Sequence, residues 1–113
     1  MKIDLYRTIL GVTYQNRELV LAIALTESNC DYDIKHPDKT TCGIGGIKPL
    51  FWTEILGDTN PNSLQAIDKI ISHLIDKNNG NIYSAIADYK GADTNMKTTD
   101  KCYKLYKQLM EKQ

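Results

Sequence analysis

The longest apolar run, Leu19-Val20-Leu21-Ala22-Ile23-Ala24-Leu25, has no polar interruption, and a helix without a polar face is normally enclosed by others. It predicts a central helix that begins near Asn16 and continues through Glu27. Ahead of it, Ile3, Tyr6, Ile9 and Leu10 recur at helical spacing before Gly11, which predicts a short first helix stopped by that glycine. Residues 29 to 47 mix Asn, Asp, Pro, Thr and Gly, residues that favour turns through local hydrogen bonding and backbone freedom. A long loop is expected there, with a small β hairpin around Thr40 to Ile47.

Beyond the loop the helical pattern returns. Pro49 can open a brief helix through Leu56, with Gly57 as its stop. Asn60-Pro61 resembles a cap and first helical residue for the clearest amphipathic stretch, in which Leu64, Ile67, Ile70, Ile71, Leu74 and Ile75 share one side. Gly80 ends it. Asn81 can cap the next helix, where Ile82, Ala85, Ile86 and Tyr89 share a face. Lys90 to Thr98 reads as a polar loop. A last helix from Thr98 or Thr99 is expected to turn Tyr103, Tyr106, Leu109 and Met110 inward. The fold class is therefore mainly α: one domain over residues 1–113, with a long loop or short β hairpin after the central helix.

Composition narrows this picture only slightly. The chain is 42% hydrophobic and 25% charged, ordinary values for a globular domain of this length. Fourteen basic residues balance fourteen acidic ones, so no strong field draws nucleic acid or an anionic surface. No apolar stretch approaches the roughly 20 residues needed to cross a bilayer, so no integral membrane span is expected. Charges in Met1-Lys2-Ile3-Asp4-Leu5-Tyr6-Arg7 interrupt the place where an export signal has its apolar centre.

Three cysteines, Cys30, Cys42 and Cys102, allow at most one internal pair. A Cys30–Cys42 bridge would close the loop after the central helix and stabilise by roughly 3 kcal/mol in the chain-entropy model; three thiols are the alternative. A zinc site with His36 is the weaker reading, because no closely spaced cysteine pair is present.

The candidate chemistry centres on Glu27. It lies four residues after Ile23, which lies four after Leu19, so all three fall on one helical stripe. A carboxyl aligned with core positions is disfavoured as the anion, which suits a general acid. The plain alternative is a glutamate at a helix end that turns to water or pairs with a lysine. Gly43, Gly45 and Gly46 add weight to a site, since residues without side chains let backbone approach another group closely. Their alternative is a tight turn. A phosphate loop is poorly supported, because the Gly-Lys-Ser/Thr ending is missing.

Taken in order, Ala22-Ile23-Ala24-Leu25-Thr26-Glu27-Ser28, Gly43-Ile44-Gly45-Gly46-Ile47-Lys48-Pro49, Asn60-Pro61 and Ala85-Ile86-Ala87-Asp88-Tyr89-Lys90 resemble a known family. It is that of the soluble lytic transglycosylases and the related goose-type lysozymes. Its pattern is Ala-Ile-Ala-x-x-Glu-Ser, Gly-Leu-Met-Gln-Ile-x-Pro, an Asn-Pro helix start and Ala-x-x-Ala-Tyr-Asn.

The resemblance implies a small lysozyme-like domain with a cleft for the glycan strands of peptidoglycan, and neither metal nor cofactor. It implies that Glu27 protonates the β-1,4 glycosidic oxygen between N-acetylmuramic acid and N-acetylglucosamine. Glu27 then acts as base towards the 6-hydroxyl, giving a 1,6-anhydro product. Ser28, Gly43, Ile44, Gly45, Gly46, Tyr89, Lys90 and Tyr103 are the implied substrate contacts. Cell-wall degradation by such a muramidase would place the protein in the periplasm or outside the cell, in the company of a secretion, conjugation or phage assembly.

Four departures stand out. Gly45 and Gly46 occupy the family's Met and Gln positions, Lys90 its Asn, and His36-Pro37 its Ser-Pro. Lys90 in this reading alters the cleft edge or faces an anionic peptide stem. Glu54, Asp58, Asp88 and Asp93 are candidate second acids, which keeps a hydrolysing lysozyme open. The lost side chains at 45 and 46 keep a noncatalytic peptidoglycan-binding module open as well. An aromatic at Phe51 or Trp52 could stack on a sugar face, but both read more simply as core or packing residues of a short helix.

Overall fold

A computed structural model describes residues 16–91 and 96–111. The expected helix before Gly11 and the candidate acid Asp93 lie outside the described residues. The architecture is mainly helical: α1 (Arg17–Ser28), a 3-10 turn (Pro49–Phe51), α2 (Thr53–Leu56), α3 (Leu64–Lys77), α4 (Ile82–Lys90) and α5 (Met96–Glu111). Helix α1 packs against α3 and α5, α4 against both α3 and α5, and α2 against α3.

The apolar run of α1 is central, as its pattern requires. Every side chain from Leu19 to Ala24 is buried, and Ile67, Ile70, Ile71 and Leu74 of α3 join them in one hydrophobic cluster with Ala85 and Ile86 of α4. Truncating one of these isoleucines or leucines to alanine costs roughly 2–5 kcal/mol, because close-packed neighbours cannot collapse into the space.

Helix boundaries follow local hydrogen bonding. Helix α1 stops because Asn29 and Cys30 take left-handed φ angles of 55° and 59°. Their N–H groups bond back to the Leu25 and Ala24 carbonyls at 3.0 and 3.1 Å. Helix α3 is capped by Ser63, whose hydroxyl accepts from the Ala66 N–H at 3.1 Å. The expected start at Asn60-Pro61 is thus displaced: the Asn60 side chain is used in an Asx turn, accepting from the Asn62 N–H at 2.9 Å. Asn81 does cap α4, accepting from the Ser84 N–H at 3.0 Å.

Two other expectations are corrected. The segment from Pro49 to Leu56 is not one helix, since it breaks at Trp52, where φ is −120°. Met110 is exposed rather than inward, whereas Thr99, Cys102 and Leu109 are the buried residues of α5.

The expected hairpin reduces to a single antiparallel bridge between Cys42 and Ile47. These residues exchange both backbone hydrogen bonds at 2.7 and 3.0 Å and close the turn Gly43–Gly46. No disulfide joins Cys30 to Cys42, and among the described residues no cluster of His, Cys, Asp and Glu could hold a metal. Among them, too, no helix is long and apolar enough to cross a membrane.

Candidate functional site

The turn Gly43–Gly46 lies against the C-terminal end of α1, and beside it opens a cleft of about 560 Å³. One wall carries Glu27 from α1 with Asp88, Tyr89 and Lys90 from the end of α4. Lys48, Phe51 and Trp52, from the segment after the turn, form the other.

Glu27 is bonded at one carboxylate oxygen and packed closely at the other. Its Oε1 accepts from Lys90 Nζ at 3.0 Å; the Lys90 side chain is 3% exposed and that of Glu27 24%. A carboxylate in the last turn of a helix faces the negative end of the helix dipole, and α1 has no basic residue of its own there. Lys90 supplies the missing cation from α4. The ammonium also donates to Thr26 Oγ1 at 2.6 Å, which satisfies a second of its protons in a place where an unpaired charge would cost several kcal/mol.

The other oxygen, Oε2, lies against Gly46. A Cβ at Gly46 would overlap Oε2, and the residue has a φ of +59°, a region that suits glycine. At Gly45 a Cβ would come within 2.8 Å of the Tyr89 hydroxyl and 2.5 Å of Ile67 Cγ1. The glycines therefore let the turn close onto the protein's own side chains. Gly46 has no room for the glutamine that the family pattern carries there.

Tyr89 reaches across to the same turn, its hydroxyl donating to the Gly45 carbonyl at 2.7 Å. Burial pushes this phenol well above its ordinary range and the Glu27 charge adds to the effect, so Tyr89 stays a neutral donor. The remaining turn contacts come from the loop and from the entry to α3. His36 Nε2 donates to the Gly43 carbonyl at 2.7 Å. Asn62 Oδ1 accepts from the Ile44 N–H at 2.8 Å, while Asn62 Nδ2 donates to the Tyr32 carbonyl at 2.9 Å.

The structure thus brings Glu27, Gly46, Tyr89 and Lys90 to one cleft, with Gly45 behind Tyr89. It uses other residues differently. Ser28 is buried, donates to the Ile44 carbonyl at 2.7 Å and accepts from the Asp31 N–H at 3.1 Å, tying the helix end to the turn. Gly43 and Ile44 are buried and brace the turn from within. Tyr103 packs edge-on against Tyr83 at 5.4 Å and beside Tyr106 at 6.3 Å, an aromatic group on α4 and α5 outside the cleft lining. Lys90 points inward onto Glu27 rather than outward, so its ammonium is not on offer to a peptide stem.

Phe51 and Trp52, read from sequence chiefly as packing residues, also line the cleft. Among the described candidate second acids, Asp88 lines the cleft, where it accepts from Asn78 Nδ2 at 3.0 Å. Phe51 is 76% exposed and Leu50 85%, while Trp52 packs partly on the core. Their signal is compositional: Leu50, Phe51 and Trp52 follow Pro49 within a single turn, and a segment so short cannot bury three large side chains at once. Comparison with protein-family models, curated proteins and solved structures returns no match.

Proposed function

We propose that this chain is a peptidoglycan-cleaving lytic transglycosylase of lysozyme-like type, with Glu27 as its acid and base. The observation that carries the reading is the placement of Glu27. A carboxyl in the last turn of a buried helix keeps 24% of its side chain exposed, and it lines a cleft together with Tyr89 and Gly46. The motif order from Ala22 to Lys90 supplies the substrate class.

In the reaction, protonated Glu27 gives its proton to the glycosidic oxygen as the bond from that oxygen to C1 of N-acetylmuramic acid breaks. The carboxylate then takes the proton of the 6-hydroxyl as O6 bonds to C1, which returns Glu27 to its starting form. Lys90 faces the carboxylate left by the first transfer and holds it beside the reacting atoms. Tyr89 fixes the Gly45 carbonyl and so holds the turn in place, with Gly46 as its residue at the cleft.

Digestion of purified peptidoglycan by wild type and Glu27→Gln, with mass analysis of the products, tests this. Glutamine keeps an acceptor for Lys90, so the variant is expected to fold while releasing no muropeptides. Equal release by both proteins would remove Glu27 from its role.

A hydrolysing lysozyme is the second reading, favoured by Asp88 lining the same cleft. Inverting glycosidases use a second carboxylate to activate water. Reducing ends, together with loss of release in Asp88→Asn, would select hydrolysis; anhydro ends select the transglycosylase.

A further inference from the structure

We infer that Phe51 and Trp52 form an apolar shelf that takes the face of one pyranose ring of the bound strand, beside the ring cleaved at Glu27. The inference rests on the glycan reading of the cleft. A pyranose chair presents C–H groups on its faces and hydroxyls around its edge, so a site for it combines an aromatic platform with a polar rim. The cleft has both: Phe51 and Trp52 as platform, with Thr41, Lys48 and Asp88 also among its lining residues.

Phe51 leaves 76% of its surface uncovered, although a phenyl ring gains roughly 1.5–3 kcal/mol when fully buried. Its backbone is nonetheless fixed. Phe51 N–H donates to the Lys48 carbonyl at 3.0 Å and Trp52 N–H to the Pro49 carbonyl at 3.1 Å, Pro49 has its φ locked by its ring, and Trp52 is seated on the core. A platform held in this way loses little conformational freedom when a sugar settles on it.

The neighbouring Leu50 distinguishes a sugar from a protein partner. It is the more exposed of the pair at 85%, yet it lies outside the cleft lining. A protein docking on this corner would cover both side chains. A sugar in the cleft meets Phe51 alone.

Trp52 is the single tryptophan of the chain, so its emission reports on the shelf without a label. Titration of tetra-N-acetylchitotetraose into Glu27→Gln is expected to give a saturable change in Trp52 emission. In the same background Phe51→Ala should weaken binding roughly tenfold, near the upper end for one aromatic stacking contact, and Leu50→Ala should leave it unchanged.

Unaltered affinity in Phe51→Ala overturns the shelf, as does an equal loss in Leu50→Ala or binding seen by calorimetry without any change in emission. Wall digestion separates the two proposals. Glu27-dependent release with no effect of Phe51→Ala keeps the cleavage and removes the shelf. Phe51-dependent binding without release by wild type keeps the shelf and removes the cleavage.

Discussion

The two walls of the cleft are built on opposite principles. On the α1–α4 side each polar group is committed: Glu27 to Lys90, Lys90 also to Thr26, Tyr89 to Gly45. On the other side, Lys48 and Asp38 pair at 3.3 Å with 46% and 48% of their side chains exposed, and Phe51 lies open. A group that must be aligned with a breaking bond gains from being held in advance. A surface that receives an apolar sugar face gains from staying uncovered until the sugar arrives. On the proposed reading, the contrast corresponds to reaction on one wall and recognition on the other.

The largest expected effect comes from cutting the closed wall at its cation. Lys90→Met leaves the Glu27 carboxylate against a helix C-terminus with no counter-charge. Removing one partner of a fully buried pair costs about 3–5 kcal/mol; with part of Glu27 in water, about 2–3 kcal/mol is expected here, read by denaturant unfolding. The double variant Lys90→Met/Glu27→Gln should recover most of that loss, because neither charge then remains. A Lys90→Met protein as stable as wild type would dissolve the contrast between the walls.

Gly46→Ala comes next. The new methyl would overlap Glu27 Oε2 at a backbone φ of +59°. Strain of this kind costs roughly 1–3 kcal/mol, and the carboxylate must swing off Lys90 to make room. Loss of muropeptide release together with a lower unfolding midpoint is expected. Phe51→Ala on the open wall sharpens the comparison, since an exposed side chain should move stability by less than about 0.5 kcal/mol. Full activity in Gly46→Ala would show that the position of Oε2 is not critical.

How much of this was legible in the sequence depended on where each residue's partner lies. The cores of α3 and α4 were readable because their apolar stripes recur at helical spacing, and the enclosure of α1 because its run has no polar face. The start of α3 was misplaced since Asn60 and Ser63 are both capping residues, and only the extended backbone of Ser63, with φ at −153°, makes it the cap. Thr99 and Cys102 were not among the residues expected inward on α5, yet the Cys102 thiol meets Thr26 of α1, and burial raises it above the ordinary thiol range. Glu27, which lies at the cleft with part of its side chain exposed, was singled out as an acid on a core stripe. Its ion pair was not, because Lys90 is 63 residues away in sequence. The alternative of a helix-end glutamate paired with a lysine, and the expectation of a carboxyl near a glycine turn, describe the same residue.

The smallest expected effect lies beside the open wall and follows from Asp38, the partner of Lys48. Its carboxyl is lowered from 3.8 to about 2. The main cause is the Thr40 N–H, which donates to Oδ1 at 2.9 Å; the Thr40 hydroxyl and then Lys48 add to it. A carboxyl depressed on folding stabilises at pH above its unfolded value, and that contribution fades as pH falls through the folded one. The contribution of Asp38 is therefore constant from neutral pH down to about 4 and lost between about 4 and 2. Asp38→Asn should be slightly less stable than wild type at pH 7, and the two unfolding midpoints should converge as the pH approaches 2. Because the group is in water, salt should erase the Lys48 share and leave the Thr40 share. A loss at pH 7 as large as that of Lys90→Met would mean that the open wall is held as firmly as the closed one, and the division of labour between them would fail.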